Sequence, residues 1–271
     1  MCDHKTERAP VGIHWFDLQP LRWHETLREI LLPVPWLVAS LLLFATSLWP
    51  AGFLASFMFF LCALRLNHEA IHGNLGLKRW GDRLVMHGLS FLMGASNNAV
   101  AYGHMQHHKH AMGPNDFEGK CGHMTFWEVL RYGPRFPIDV NREAWRGSNA
   151  DARKRIAIDW LLTFGMIGLA FWLGGFLLLH VIAMATAQCL TALLAVWITH
   201  QGTARAGVAA RSQRGFLARA AYLMFYHREH HLYPRVPVSR LPVLAERLDR
   251  GVPGYAADRL PVVPWFDRAD Q

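Results

Sequence analysis

Three groups of histidine share one spacing: His68-Glu69-Ala70-Ile71-His72, His104-Met105-Gln106-His107-His108 and His227-Arg228-Glu229-His230-His231. On a helix, residues three and four apart lie on one face, about 5–6 Å between Cβ atoms, so each group aims two or three imidazoles at a common point. The patterns HxxxH, HxxHH and HxxHH supply eight convergent ligands, more than one metal ion needs, and so imply a two-metal site. Imidazole suits iron, copper, zinc and nickel. A ligating histidine usually donates its other ring N–H to a carboxylate or carbonyl. Glu69, Asp116, Glu118 and Glu229 stand close enough in sequence to accept it, and ordinary surface charge is the competing reading for each. His110 follows the second group and reads as a supporting neighbour of the ligands.

The elements that must position these groups are blocks of apolar residues. Leu31–Trp49 is one run and Phe53–Leu64 another, the second reaching membrane-spanning length only if its helix continues to His72. Ile158–Leu173 holds one charge, Asp159, and Phe176–Thr199 holds none. A spanning helix needs ~20 residues for a hydrocarbon core of ~30 Å. Four spans follow, at approximately 31–49, 53–72, 157–173 and 176–200. Trp49-Pro50-Ala51-Gly52 would turn the first hairpin and Gly174-Gly175 the second, both built from breaker residues.

All 28 Lys and Arg lie outside those two turns, in or next to the N-terminal, middle and C-terminal segments, Arg65 standing near the end of the second span. The positive-inside rule puts these three segments in the cytosol. The second span then delivers His68 and His72 to the cytosolic boundary and the fourth delivers His200. The other two groups lie in the cytosolic segments, so nine histidines share one side. The expected fold is an all-α membrane protein with four transmembrane helices in two hairpins, interfacial helices and a cytosolic histidine-rich di-metal site. It forms a single domain over residues 1–271. The protein is expected to be integral and multi-pass, with cytosolic N- and C-termini, in the inner membrane if the source is bacterial.

Leu84–Val100 is apolar but holds His87, Ser90, Ser96, Asn97 and Asn98, and reads as an interfacial or partly inserted helix leading to the second group, with Lys78–Arg83 as its solvated approach. Phe216–Tyr226 reads as a surface helix carrying the third group. The proline-containing tail from Pro234 should pack over the cytosolic face. Asn97 and Asn98 fit ligand binding or helix-end hydrogen bonding equally well. His180 falls far from His200 on its helix and reads as a polar residue at the opposite boundary. His87 and His123 read as surface or loop residues, and His4, His14 and His24 fall in the polar N-terminal region. A cleavable signal peptide is not expected, because ~30 mixed residues precede the first apolar run.

The net charge of +8 suits contact with anionic head groups. No nucleic-acid-binding module appears, so nucleic acid is not expected as a partner. Cys2, Cys62, Cys121 and Cys189 lack CxxC spacing and read as reduced, packed thiols.

The ordered boxes resemble those of the integral-membrane fatty acid desaturase and hydroxylase family. His227-Arg228-Glu229-His230-His231-Leu232-Tyr233-Pro234 looks like that family's third box with its following Leu-aromatic-Pro. His200 resembles the extra histidine found between boxes two and three. The likeness covers roughly residues 34–240. It implies a di-iron centre of two Fe ions, activation of O2 and removal of hydrogen from an unactivated C–H bond. The ligands it implies are His68, His72, His104, His107, His108, His200, His227, His230 and His231. Glu69 departs from the family, where Asp is common, and the short chain implies a reduced soluble cap. No His-Pro-Gly-Gly motif of a fused cytochrome b5 is present, so the electrons should come from a separate donor such as a ferredoxin, rubredoxin or cytochrome b5.

The leading expectation is a desaturase that uses O2 and external electrons on an acyl chain carried by a lipid, acyl-CoA or acyl carrier. The alternative on the same scaffold is a hydroxylase or ketolase of an acyl chain, carotenoid or other long apolar substrate. A non-enzymatic metal carrier is the remote alternative. Carriers place ionisable residues at mid-membrane, whereas these histidines gather at one boundary. A metal-dependent hydrolase usually mixes histidine with carboxylate ligands, and no HExxH-type centre is visible.

Overall fold

Proline, glycine and small polar residues decide where the helices begin and end. The computed structural model describes residues 7–264 apart from 217 and 219–222. Among these residues the chain is helical, and the one strand-like feature is an antiparallel bridge between Ser212 and Tyr226.

The first apolar run differs from its expected bounds at both ends. Helix α1 (Trp23–Leu31) starts eight residues earlier, because the Glu25 carboxylate captures the backbone N–H of Arg22 at 2.8 Å. Pro33 interrupts it, since proline brings no N–H to the ladder, and α2 (Val34–Phe44) continues. Trp23–Phe44 forms the first candidate span, 22 residues long. Helix α3 (Trp49–His72) begins at Trp49-Pro50, not after it, because proline is tolerated in a first turn. The turn itself is Ala45–Leu48, held by a hydrogen bond from Leu48 N to Thr46 Oγ1. Gly52 belongs to α3, where a Cβ would sit 2.5 Å from the Phe44 ring, so its missing side chain lets α2 and α3 close up.

The stretch read as one interfacial helix is two. Helix α4 (Arg79–Met93) ends at Gly94 in the left-handed region (φ 64°), and α5 (Asn97–His110) starts afresh. Asp159 accepts hydrogen bonds at this new start from Ser96 Oγ (2.8 Å), Asn98 N (2.9 Å) and Asn98 Nδ2 (3.0 Å). A carboxylate is favoured at a helix N-terminus, where backbone N–H groups lack partners. The one charge in the third apolar run therefore holds the start of the helix that carries box two. Asn98 serves as a helix-end group, as one of its two readings had it. His87, expected at the surface, bonds the same carboxylate at 2.5 Å.

Helices α6 (Phe126–Tyr132) and α7 (Phe136–Gly147) lead to α8 (Ala150–Leu173), which Asn149 caps by accepting from Ala152 N at 2.9 Å. This span begins at 150, ahead of the expected 157, because Arg153, Lys154 and Arg155 form its polar first turns. Gly174 and Gly175, with φ of 64° and 52°, make the turn into α9 (Gly175–Cys189). The fourth run then breaks. A π-helix, Ala192–Trp197, follows before Ile198–His200. Among the described residues, three helices are long and apolar enough to cross a membrane, four if Gly175–Cys189 and Ala192–Ala206 count as one broken span.

The chain divides into two compact units. One comprises Arg22–His104 and Tyr132–Thr191, the other Met1–Leu21, Met105–Arg131 and Ala192–Gln271. The first, the hairpin unit, buries Phe59, Phe60, Met86, Leu89, Met93 and Met184 in its core. Its spans nevertheless leave Leu54, Leu161, Phe164, Phe171 and Trp172 at least two-thirds exposed. In water that much bare apolar surface would drive association, so these faces belong against lipid and the chain is a membrane protein. The Glu29–Arg65 ion pair is shielded among these helices, with both Arg65 Nε and Nη2 donating to the carboxylate. His180, expected at the far boundary, is 1% exposed and bonds the Leu92 carbonyl at 2.9 Å.

The second, the box-three unit, packs Leu232, Val236, Val238, Leu241, Leu244 and Leu248 into its core. The tail from Pro234 therefore forms the core beside the third box. The expected helix Phe216–Tyr226 lies partly outside the described residues. The third box has its own short helix, His227–Leu232, entered through a 3₁₀ turn at Leu223–Phe225.

Candidate metal centre

In the box-three unit, four imidazoles from three separated segments converge. His107 comes from α5, His200 from the end of Ile198–His200, and His227 and His231 from the helix His227–Leu232. Their candidate ligand atoms all lie within 4.8 Å of one another. His200 Nε2 stands 3.0 Å from His107 Nε2 and 3.1 Å from His227 Nε2, and His231 Nε2 is 3.2 Å from His227 Nε2. Beside them His108 and His230 bring their Nε2 atoms to 2.9 Å, and the His108 ring stacks on His231 with centroids 4.4 Å apart. The hairpin unit holds a triad: His68 and His72, one turn apart on α3, and His104 on α5. The His72 and His104 Nε2 atoms are 2.9 Å apart, and the three ring centroids lie 4.7–5.0 Å from one another. Each of the nine predicted histidines thus stands beside at least one other.

Asp116 stands against a ring of this cluster. Its Oδ2 lies 2.6 Å from His107 Nδ1, so the ring donates there and keeps its Nε2 lone pair for the cluster. The carboxylate is itself pinned by N–H groups of Met112 (2.8 Å, to Oδ2) and Gly119 (2.8 Å, to Oδ1). Burial pushes the Asp116 carboxyl up, but the His107 ring and these two N–H groups outweigh it and hold the pKa at about 2. Met112 adopts a left-handed φ of 61° to present its N–H, a conformation few side chains take without cost.

The other four supporting residues behave differently. Glu69 is fully buried, but its Oε1 is 3.6 Å from His68 Nδ1, longer than a hydrogen bond. Glu229 accepts from Arg214 Nη2 (2.7 Å), Ser212 Oγ (2.6 Å) and the Tyr255 hydroxyl (3.0 Å), and from no histidine ring. It anchors the helix of box three from behind. Burial works against the Arg214 charge, yet Glu229 and Asp249 outweigh it and hold its pKa above the ordinary value. Glu118 is buried and makes no hydrogen bond to a ligand ring. Burial raises its carboxyl to about 7. His110 is half-buried and pairs with none of the rings, while His123 meets the Met112 carbonyl at 3.3 Å.

Two glycines missed by sequence reasoning make room for the site. A Cβ on Gly119 would overlap Asp116 Oδ2 and lie 3.1 Å from Met112 Cα. A Cβ on Gly122 would lie 2.5 Å from Met112 Cε and 3.1 Å from His200 Cβ. The signal was the pair of glycines in Glu118-Gly119-Lys120-Cys121-Gly122, which no turn required. The π-helix before His200 was also missed. Its wider turn shifts the register of the side chains that follow, a device common at functional sites.

The donor set fits a transition-metal ion. One N–H can bridge one pair of ring nitrogens, but His200 Nε2 faces two rings at once and its buried Nδ1 has no hydrogen-bond partner. Burial and the neighbouring histidines push the His231 pKa well below its usual value, which leaves a neutral ring with a free lone pair. Converging imidazoles suit iron, copper, zinc or nickel and leave coordination positions open.

The sequence model of one family, "Fatty acid desaturase", matches residues 44–260 and so takes in all nine histidines. No curated protein and no solved structure matches the chain. The family match spans most of the chain and agrees with its apolar helices and histidine clusters: the chain belongs to the fatty acid desaturase family.

Proposed function

We propose that this protein is a membrane-bound di-iron oxidoreductase that uses O2 and external electrons to introduce a double bond into an acyl chain. The observation that carries the reading is the mostly buried tetra-histidine cluster with Asp116 fixing one ring, inside the region matched by the family. His68, His72, His104, His107, His108, His200, His227, His230 and His231 would hold two iron ions, and helix α5 contributes to both groups. Iron bound there would supply the oxidising power to take hydrogen from an unactivated C–H bond. The protein's own part is to converge the ligand rings, to hold the His107 proton on the Asp116 side, and to bury most of the rings. The substrate would be a long apolar chain on a lipid, acyl-CoA or acyl carrier. A ferredoxin, rubredoxin or cytochrome b5 would supply the electrons.

Lipid mass spectrometry of host membranes tests this, comparing wild type with a His107→Ala/His108→Ala variant. A product two hydrogens lighter than its precursor, absent from the variant, is the expected result. A product one oxygen heavier would transfer the assignment to a hydroxylase or ketolase of an acyl chain, carotenoid or similar substrate. If iron analysis of the purified protein finds no metal, the reading fails.

A further inference from the structure

A small cavity of about 150 Å³ opens onto the histidine cluster of the box-three unit, lined by His108, His231, Ala204, Gly207, Ala209 and Glu7 among others. Of this unit's six clustered histidines, His107, His200, His227 and His230 are buried, while His108 and His231 keep partial exposure. Those two are the ones that line the cavity. Its size allows a few water molecules or a small ion. It falls well below the ~300–1,000 Å³ of pockets that enclose larger organic ligands. An acyl chain does not fit it.

Glu7 closes one side. Its carboxylate accepts from Ala209 N at 2.8 Å and from Arg228 Nη2 at 2.8 Å and Nε at 3.1 Å. One of these donors belongs to the cavity wall and the other is a buried guanidinium on the box-three helix. The Glu7 charge is therefore spent on a latch, and the cavity is no trap for cations. We infer that this cavity is a port and binding site for small neutral or anionic ligands approaching metal held by His107, His200, His227 and His231, with Glu7 latching the N-terminal segment against its wall. The inference rests on the proposed metal centre and adds to it a route too narrow for the apolar substrate.

The test uses the full chain loaded with Co(II), whose visible absorption bands report ligands at the metal, with azide as the probe. Ala204→Leu places a larger side chain in the port and should slow azide association about tenfold. Glu7→Ala releases the latch and should speed both azide association and the extraction of Co(II) by a chelator. The Co(II) stoichiometry and starting spectrum should match wild type in each variant. Wild-type protein that takes up no Co(II) would sink both the metal centre and the port. Normal Co(II) uptake with unchanged azide and chelator rates would sink the port alone. If Ala204→Leu does not fold, Glu7→Ala decides by itself, and an unchanged rate overturns the inference.

Discussion

The two units present the same ring at the same spacing and support it in different ways. In the hairpin unit, three imidazoles come from two long helices, and helix register does most of the aiming: His68 and His72 are one turn apart on α3, and Asp159 holds the start of α5. In the box-three unit, four imidazoles come from three separated segments, so no single helix can align them. Tertiary props take over: Asp116 behind His107, the Arg214–Glu229 pair behind box three, and Gly119 and Gly122 giving room for close approach. Register is inherited from the backbone, whereas convergence between segments must be built from side chains. The box-three site should therefore be the more fragile of the two.

Removing one ring from each site should have the largest effect and should separate stability from chemistry. His200→Ala and His72→Ala should both abolish turnover, and each should reduce the metal content of the purified protein. His200 is 1% exposed between two other rings, so its loss also opens a buried hole, and truncations of that kind cost about 2–5 kcal/mol. His72 is half-buried at the end of a long helix and should cost less. Thermal unfolding in detergent, with metal analysis of the same samples, reads both quantities. Equal destabilisation by the two variants would break the contrast.

The next effect concerns the carboxylates beside the rings. Asp116→Asn keeps the shape but removes the charge bonded to His107, and losing such a partner typically costs about 10–100-fold in metal affinity or activity. Glu69→Gln acts at 3.6 Å from His68, beyond hydrogen-bond length, and should cost less. Competition for metal against a chelator of known affinity measures the difference. A Glu69→Gln loss as large as that of Asp116→Asn would show that the hairpin triad also depends on a carboxylate prop.

The same division explains what the sequence made legible. Periodicity and apolar blocks speak about faces and lengths along one helix, so the boxes, the candidate spans and the Gly174-Gly175 turn were readable. Asp116 was readable as a partner because it lies nine residues from His107. Asp159 lies 61 residues from Asn98, and nothing local links them, so the sequence shows only one charge in an apolar run and not its hold on the start of α5. Glu229 shows a related limit. Its position between ligands suggested a ring partner, but on its helix the carboxylate points behind the box, where Arg214, Ser212 and Tyr255 take it. The break at Gly94 and the start of α3 at Trp49 turned on single residues whose effect is positional. A proline opens a helix as readily as it ends one.

The smallest effect compares glycines. Gly119 lies where a Cβ would overlap the carboxylate that holds His107 and press on Met112 Cα, a backbone atom that cannot swing aside. Gly119→Ala should therefore destabilise by about 1–3 kcal/mol, as overpacking does, and should loosen metal binding along with stability. Gly168 lies in the middle of α8 with nothing within 4 Å of a built Cβ. There alanine removes only glycine's backbone freedom, so Gly168→Ala should be neutral or stabilising by up to about 1 kcal/mol. Paired unfolding curves with metal content measured alongside decide the matter. If Gly119→Ala is tolerated with its metal intact, the loop from Met112 to Gly122 is not a tight mould around Asp116. The box-three site would then owe its alignment mainly to the ligand helices, as the hairpin site does to helix register.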